Sequence, residues 1–87
     1  VEFLFSGIAI TYRGHFCVYQ VLEVDTGVYF AYTNNELDYY YKPTHNEFYL
    51  TKLGKIWVAD TYQNPDIVAD LGKQIDDFLF EKNYKKR

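Results

Sequence analysis

His15 and Cys17 stand two residues apart, so on a strand their side chains project from the same face. A thiol beside an imidazole points to nucleophilic catalysis, in which the histidine takes the proton from sulfur. Along a strand, however, the two side chains lie about 6 to 7 Å apart, too far for the hydrogen bond that activation needs. As metal ligands they lack a second pair at zinc-like spacing, so a half-buried cysteine beside a turn histidine is the plainer expectation. The twelve acidic residues are scattered. Asp76 and Asp77 face different directions on a helix, and no paired carboxylate site follows from any spacing. Gly54-Lys55 lacks the preceding glycine and the following Ser or Thr of a phosphate loop. His45, between Thr44 and Asn46, reads as a solvated loop residue. No catalytic residue, metal site or cofactor is expected, and nothing in these residues supports an enzyme.

Asp25-Thr26-Gly27 resembles the catalytic tripeptide of retroviral-type aspartic proteases, short β-rich chains that act as dimers with one Asp from each subunit. The resemblance implies a catalytic role for Asp25, and it covers three residues. That family places two apolar residues before the Asp and a small one after the Gly, whereas Glu23-Val24 precede and Val28 follows here. Its glycine-rich flap and its later apolar-apolar-Gly segment have no counterpart in this chain. Asp-Thr-Gly is also what a three-residue hairpin loop selects, with Gly at the left-handed position. The expectation is a turn.

Residues of this kind need elements to position them, and period-two patterning supplies strands. Phe16, Val18, Gln20, Leu22 and Val24 make one mostly apolar face, while Cys17, Tyr19, Val21 and Glu23 make a mixed opposite face. The pattern predicts strands near 2–12, 15–24, 28–33, 37–42, 47–53 and 55–61. Ser6-Gly7 suggests a bulge in the first strand, and Gly54 supplies the turn of the last hairpin. Asn64 as N-cap, Pro65 at the first helical position and Asp66 in the first turn predict a helix over 65–83. Its apolar stripe is Ile67, Val68, Leu71, Ile75, Phe78 and Leu79. The expected fold is α+β: a curved antiparallel meander of five or six strands followed by one C-terminal helix packed on the sheet. With 87 residues and no repeat, low-complexity tract or linker, residues 1–87 read as a single domain.

Composition sets what such a domain can do. Hydrophobic residues make up 48% and charged residues 24%, the balance of a folding chain rather than a disordered one. One cysteine precludes an intrachain disulfide, which favours a reducing, cytoplasmic setting. No apolar run approaches the ~20 residues of a membrane span. The net charge is −3, and the last six residues carry Lys82, Lys85, Lys86 and Arg87 while all twelve acids lie before them. An acidic body argues against binding nucleic acid, whose phosphates require a positive face.

Ten tyrosines, seven phenylalanines and one tryptophan are too many for a thin domain to bury. Six strands spaced by about 4.8 Å make a sheet near 29 Å wide, and one helix of ~10 Å footprint covers about half of one face. The surplus predicts strong curling of the sheet, or a second molecule on the uncovered side. Phe80 and Tyr84 on the polar side of the helix, with Tyr19, Tyr29, Tyr49 and Trp57 on the strands, are the candidate interaction surface. The expected role is protein contact or self-association, without chemistry. The alternative is a small-molecule or carbohydrate site, with an aromatic-lined concave sheet and nearby Asn34, Asn35, Asp38 and Asn46, and a further alternative, as a subset of that one, is an enzyme of unknown class.

Overall fold

A computed structural model describes residues 1–10, 16–33, 47–61, 63 and 65–85. Strands β1 (Glu2–Ile10), β2 (Phe16–Asp25), β3 (Val28–Tyr32), β4 (Glu47–Leu53) and β5 (Ile56–Ala59) precede one helix, α1 (Pro65–Lys85). They form a single antiparallel sheet in sequence order, so the fold is the expected α+β meander with a C-terminal helix. The strand expected at 37–42, the sugar-binding candidates Asn34, Asn35, Asp38 and Asn46, the N-cap Asn64, and His15 and His45 all lie outside the described residues.

Two glycines set the hairpins. Gly27 and Gly54 have φ of 76° and 63°, a region that disfavours any residue carrying a Cβ. Gly54-Lys55 is thus a two-residue turn between the opposed Leu53 and Ile56. The β2–β3 register shifts between Glu23 and Asp25, which is the bulge that accompanies a left-handed Gly27. In β1 the register shifts between Phe3 and Phe5, not at Ser6-Gly7, which oppose Gln20 and Tyr19 in regular pairing. Gly7 has another role: a Cβ there would lie 2.8 Å from Gln74 Oε1 and 3.0 Å from a Leu71 methyl. It is the space through which α1 approaches the sheet.

The core lies between α1 and one face of the sheet. Ile67, Leu71 and Ile75 are fully buried against Tyr19, Val21, Tyr29, Ala31, Phe48 and Leu50, with Val68 and Leu79 at the margin. Burying each such side chain contributes about 1.5–3 kcal/mol, so these residues hold the helix in place. In β2 it is the mixed Tyr19–Val21 face that the helix covers, while Val18 on the more apolar face stays 42% exposed. Tyr29 shows how the mixed face is accommodated. Burial first, and then the charge and hydrogen bonding of Glu23 opposite it, push its hydroxyl above the ordinary tyrosine range and keep it neutral.

The helix runs lengthwise between the two edge strands. Gln74 bonds Ile8 of β1, Phe78 packs on Phe5 at 5.5 Å between ring centres, and Lys82 reaches Glu2 at 3.8 Å. On the other side Asp76 meets Lys52 of β4 and Trp57 of β5. The rising helix number against the falling β1 number makes the two antiparallel. The sheet curls only gently around α1 and does not close, short of the strong curling that the surplus of apolar surface predicted.

Candidate interaction surfaces

Each candidate residue is placed by the alternation of its strand. Tyr19 and Tyr29 point under the helix and are core residues, 0% and 4% exposed, with Tyr19 edge-on to Phe48. Trp57 also faces the helix, edge-on to Tyr29 at 5.6 Å and partly buried. Tyr49 points the opposite way and is 44% exposed. Phe80 is 71% exposed on the outer side of α1. The side chain of Tyr84 lies outside the described residues. These residues therefore occupy three different surroundings, and the concave side that would hold a sugar is filled in the described residues by Ile67, Leu71 and Ile75.

Trp57 is held in a specific cradle. A Cβ on Gly72 would fall 2.4 Å from two carbons of Trp57, so the ring lies directly on the helix backbone. The indole Nε1 donates to Asp76 Oδ2 at 3.1 Å, and Lys52 Nζ donates to Asp76 Oδ1 at 2.9 Å while lying 5.8 Å above the indole ring. Partial burial pushes the Asp76 carboxyl up, but the bonds from Lys52 and Trp57 and the lysine charge outweigh that and hold it below its ordinary 3.8. Carboxylate, cation and ring thus lock helix to hairpin. One acid with its charge already compensated is a structural arrangement, not an acid–base pair.

Asp25 serves the turn in which it stands. It is exposed at the β2–β3 hairpin tip, and its Oδ1 accepts the Thr26 amide at 2.8 Å, the bond by which aspartate stabilises a turn. Among the described residues no three His, Cys, Asp or Glu side chains gather to hold a metal, and no helix is long and apolar enough to cross a membrane.

Two surfaces remain, and neither was explicit in the sequence. The first is the outer face of the sheet. Register places Phe3, Ile8, Val18, Leu22, Val28, Phe30, Tyr32, Tyr49, Leu53, Ile56 and Val58 on it, with Ser6, Gln20 and Thr51 as polar members. Phe30 forms its aromatic centre, 5.0 Å from Tyr49 and 5.9 Å from Tyr32. Among the described residues its charges lie toward the ends: Asp25 at the hairpin tip, Glu47 at the first residue of β4, and the exposed Asp60 opposite Tyr49, just past β5. No described element covers this face. The second surface is a groove of about 720 Å³ along β5 and the N-terminal half of α1. The signal for the outer face was present in the Val18–Val24 alternation, but alternation alone does not say which face the helix takes.

The chain matches no family model, no curated protein and no solved structure.

Proposed function

We propose that this chain is a binding domain without enzymatic chemistry that associates with a second copy of itself through the outer face of its sheet. The observation that carries this reading is that face: among the described residues, a set of Val, Ile, Leu, Phe and Tyr with charge only toward its ends. Five strands of about seven residues give it an area on the order of 500 Å², at the upper end of what a soluble monomer leaves exposed in one patch. Fully buried interface centres are depleted in charge and enriched in aromatics, and this face has both properties. A second copy presents the same face, so two copies can meet through it about a twofold axis, although each carries a net charge of −3. A contact whose middle carries no charge brings the copies together where their repulsion is weakest.

Sedimentation equilibrium on the wild type and on the double variant Val18→Lys, Tyr49→Lys tests this. Both positions are more than two-fifths exposed, so lysine is accommodated there in the separate chain. The expected result is a wild-type dimer and a variant monomer with unchanged circular dichroism. A dimer that persists in the variant would place the contact elsewhere.

A further inference from the structure

The two edges of the sheet are treated differently. On β1, the side-chain amide of Gln74 donates to Ile8 O at 2.7 Å and accepts from Ile8 N at 3.1 Å, so the helix supplies the partner that another strand would supply. On β5 the ladder phase is set by the bond from Asp60 N to Tyr49 O at 3.0 Å. With Thr51 opposite Val58 and Leu53 opposite Ile56, residues 56, 58 and 60 bond to β4, and the backbone N–H and C=O of Trp57 and Ala59 point outward. Among the described residues β5 is the last strand, and the groove runs along it. Successive strand residues point to opposite faces, so a groove that touches Ile56, Trp57, Val58 and Ala59 alike must follow the strand's edge.

Its opposite wall is α1. Val68 and Ala69 make that wall apolar toward the helix start, and Lys73 makes it basic further along, joined by Lys55 at the hairpin turn. Asp76 at the same end is taken by Lys52 and Trp57, whereas neither Lys55 nor Lys73 has an ion-pair partner among the described residues. The spacing is that of a strand. Four or five helical residues separate Val68 and Ala69 from Lys73, about 6–7.5 Å, and alternate residues of an extended peptide are about 6.6–7 Å apart.

We infer that this groove binds an extended acidic peptide as a sixth strand on β5, with an apolar side chain over Val68 and Ala69 and, two residues away, a carboxylate at Lys73 and Lys55. Main-chain bonds to Trp57 and Ala59 supply the attachment, and the two side chains supply selectivity. The groove borders the outer face at Ile56 and Val58, but the inference rests on the β5 edge with Lys55 and Lys73 and the proposed self-association on Val18 and Tyr49, so separate variants let either fail alone.

Trp57 is the only tryptophan of the chain and lines the groove, so its fluorescence is the readout. The probes are the peptides acetyl-Thr-Val-Thr-Glu-Thr-amide and acetyl-Thr-Glu-Thr-Val-Thr-amide, which cover both strand directions. Titration to millimolar concentration is expected to give a saturable change with one of them. Lys55→Glu with Lys73→Glu, both at exposed positions, is expected to weaken that binding at least tenfold with unchanged circular dichroism. Methylating the peptide nitrogens of the Val and Glu is expected to abolish it. No saturable change with either peptide overturns the inference, as does binding that survives methylation or the double charge reversal.

Discussion

At the scale of residues, the structure turns on a glycine and a tryptophan that sequence patterning could not pair. A glycine inside a helix reads as a cost of about 1 kcal/mol relative to alanine, with no hint of what it accommodates. Here Gly72 is the floor on which Trp57 lies, fifteen residues back in the chain. Gly72→Ala should therefore destabilise the fold despite the better helix former. The overpacking costs about 1–3 kcal/mol, and the propensity gain offsets about 1. A lowered melting temperature checks this, and an unchanged one would show the ring free to move aside.

Asp76 gives a pH prediction at the same scale. Its folded carboxyl titrates below the ordinary 3.8, so the deprotonated form is favoured by folding. The stability it contributes is present above 3.8 and is lost as pH falls through its lower folded value. Asp76→Asn should flatten that part of the acid limb of stability against pH. An identical acid limb in the variant would show that Lys52 and Trp57 do not depend on the charge. Asp25 teaches the converse lesson. Its tripeptide resembled a catalytic motif, but a carboxylate bonded to the next amide is doing what turn aspartates do.

At the scale of elements, strands and helix were legible because their signals are local. Period-two alternation, Gly27 and Gly54 at the turns and Pro65 at the helix start all act within a few residues. The choice of face was not local. Both faces of β2 carry apolar side chains, and on the Tyr19–Val21 side Gly7 of the neighbouring strand leaves room for Leu71 and Gln74 of the helix. The protection of β1 was equally hidden, since Gln74 and Ile8 are 66 residues apart. Gln74→Leu should keep the helix but remove the partner of both Ile8 backbone groups. Hydrogen exchange at the Ile8 amide is expected to accelerate, with a loss of about 0.5–1.5 kcal/mol in stability. Unchanged exchange would mean that water or another group serves this edge as well.

At the scale of the whole molecule, one helix covers one face of a five-stranded sheet, and the aromatic-rich composition is shared between that core and the opposite face. The sequence announced the surplus through its ten tyrosines but not its location, because Tyr19 and Tyr29 went inside while Tyr49 stayed out. Among the described residues the outer face of the sheet is largely apolar, with charge only toward its ends, and that is the basis of the proposed self-association. The most direct test is the molar mass of the wild-type chain in solution, by light scattering over a wide concentration series. Association through the outer face raises the mass from the 10.4 kDa of one chain to twice that as concentration increases. A mass of 10.4 kDa at every concentration would contradict it.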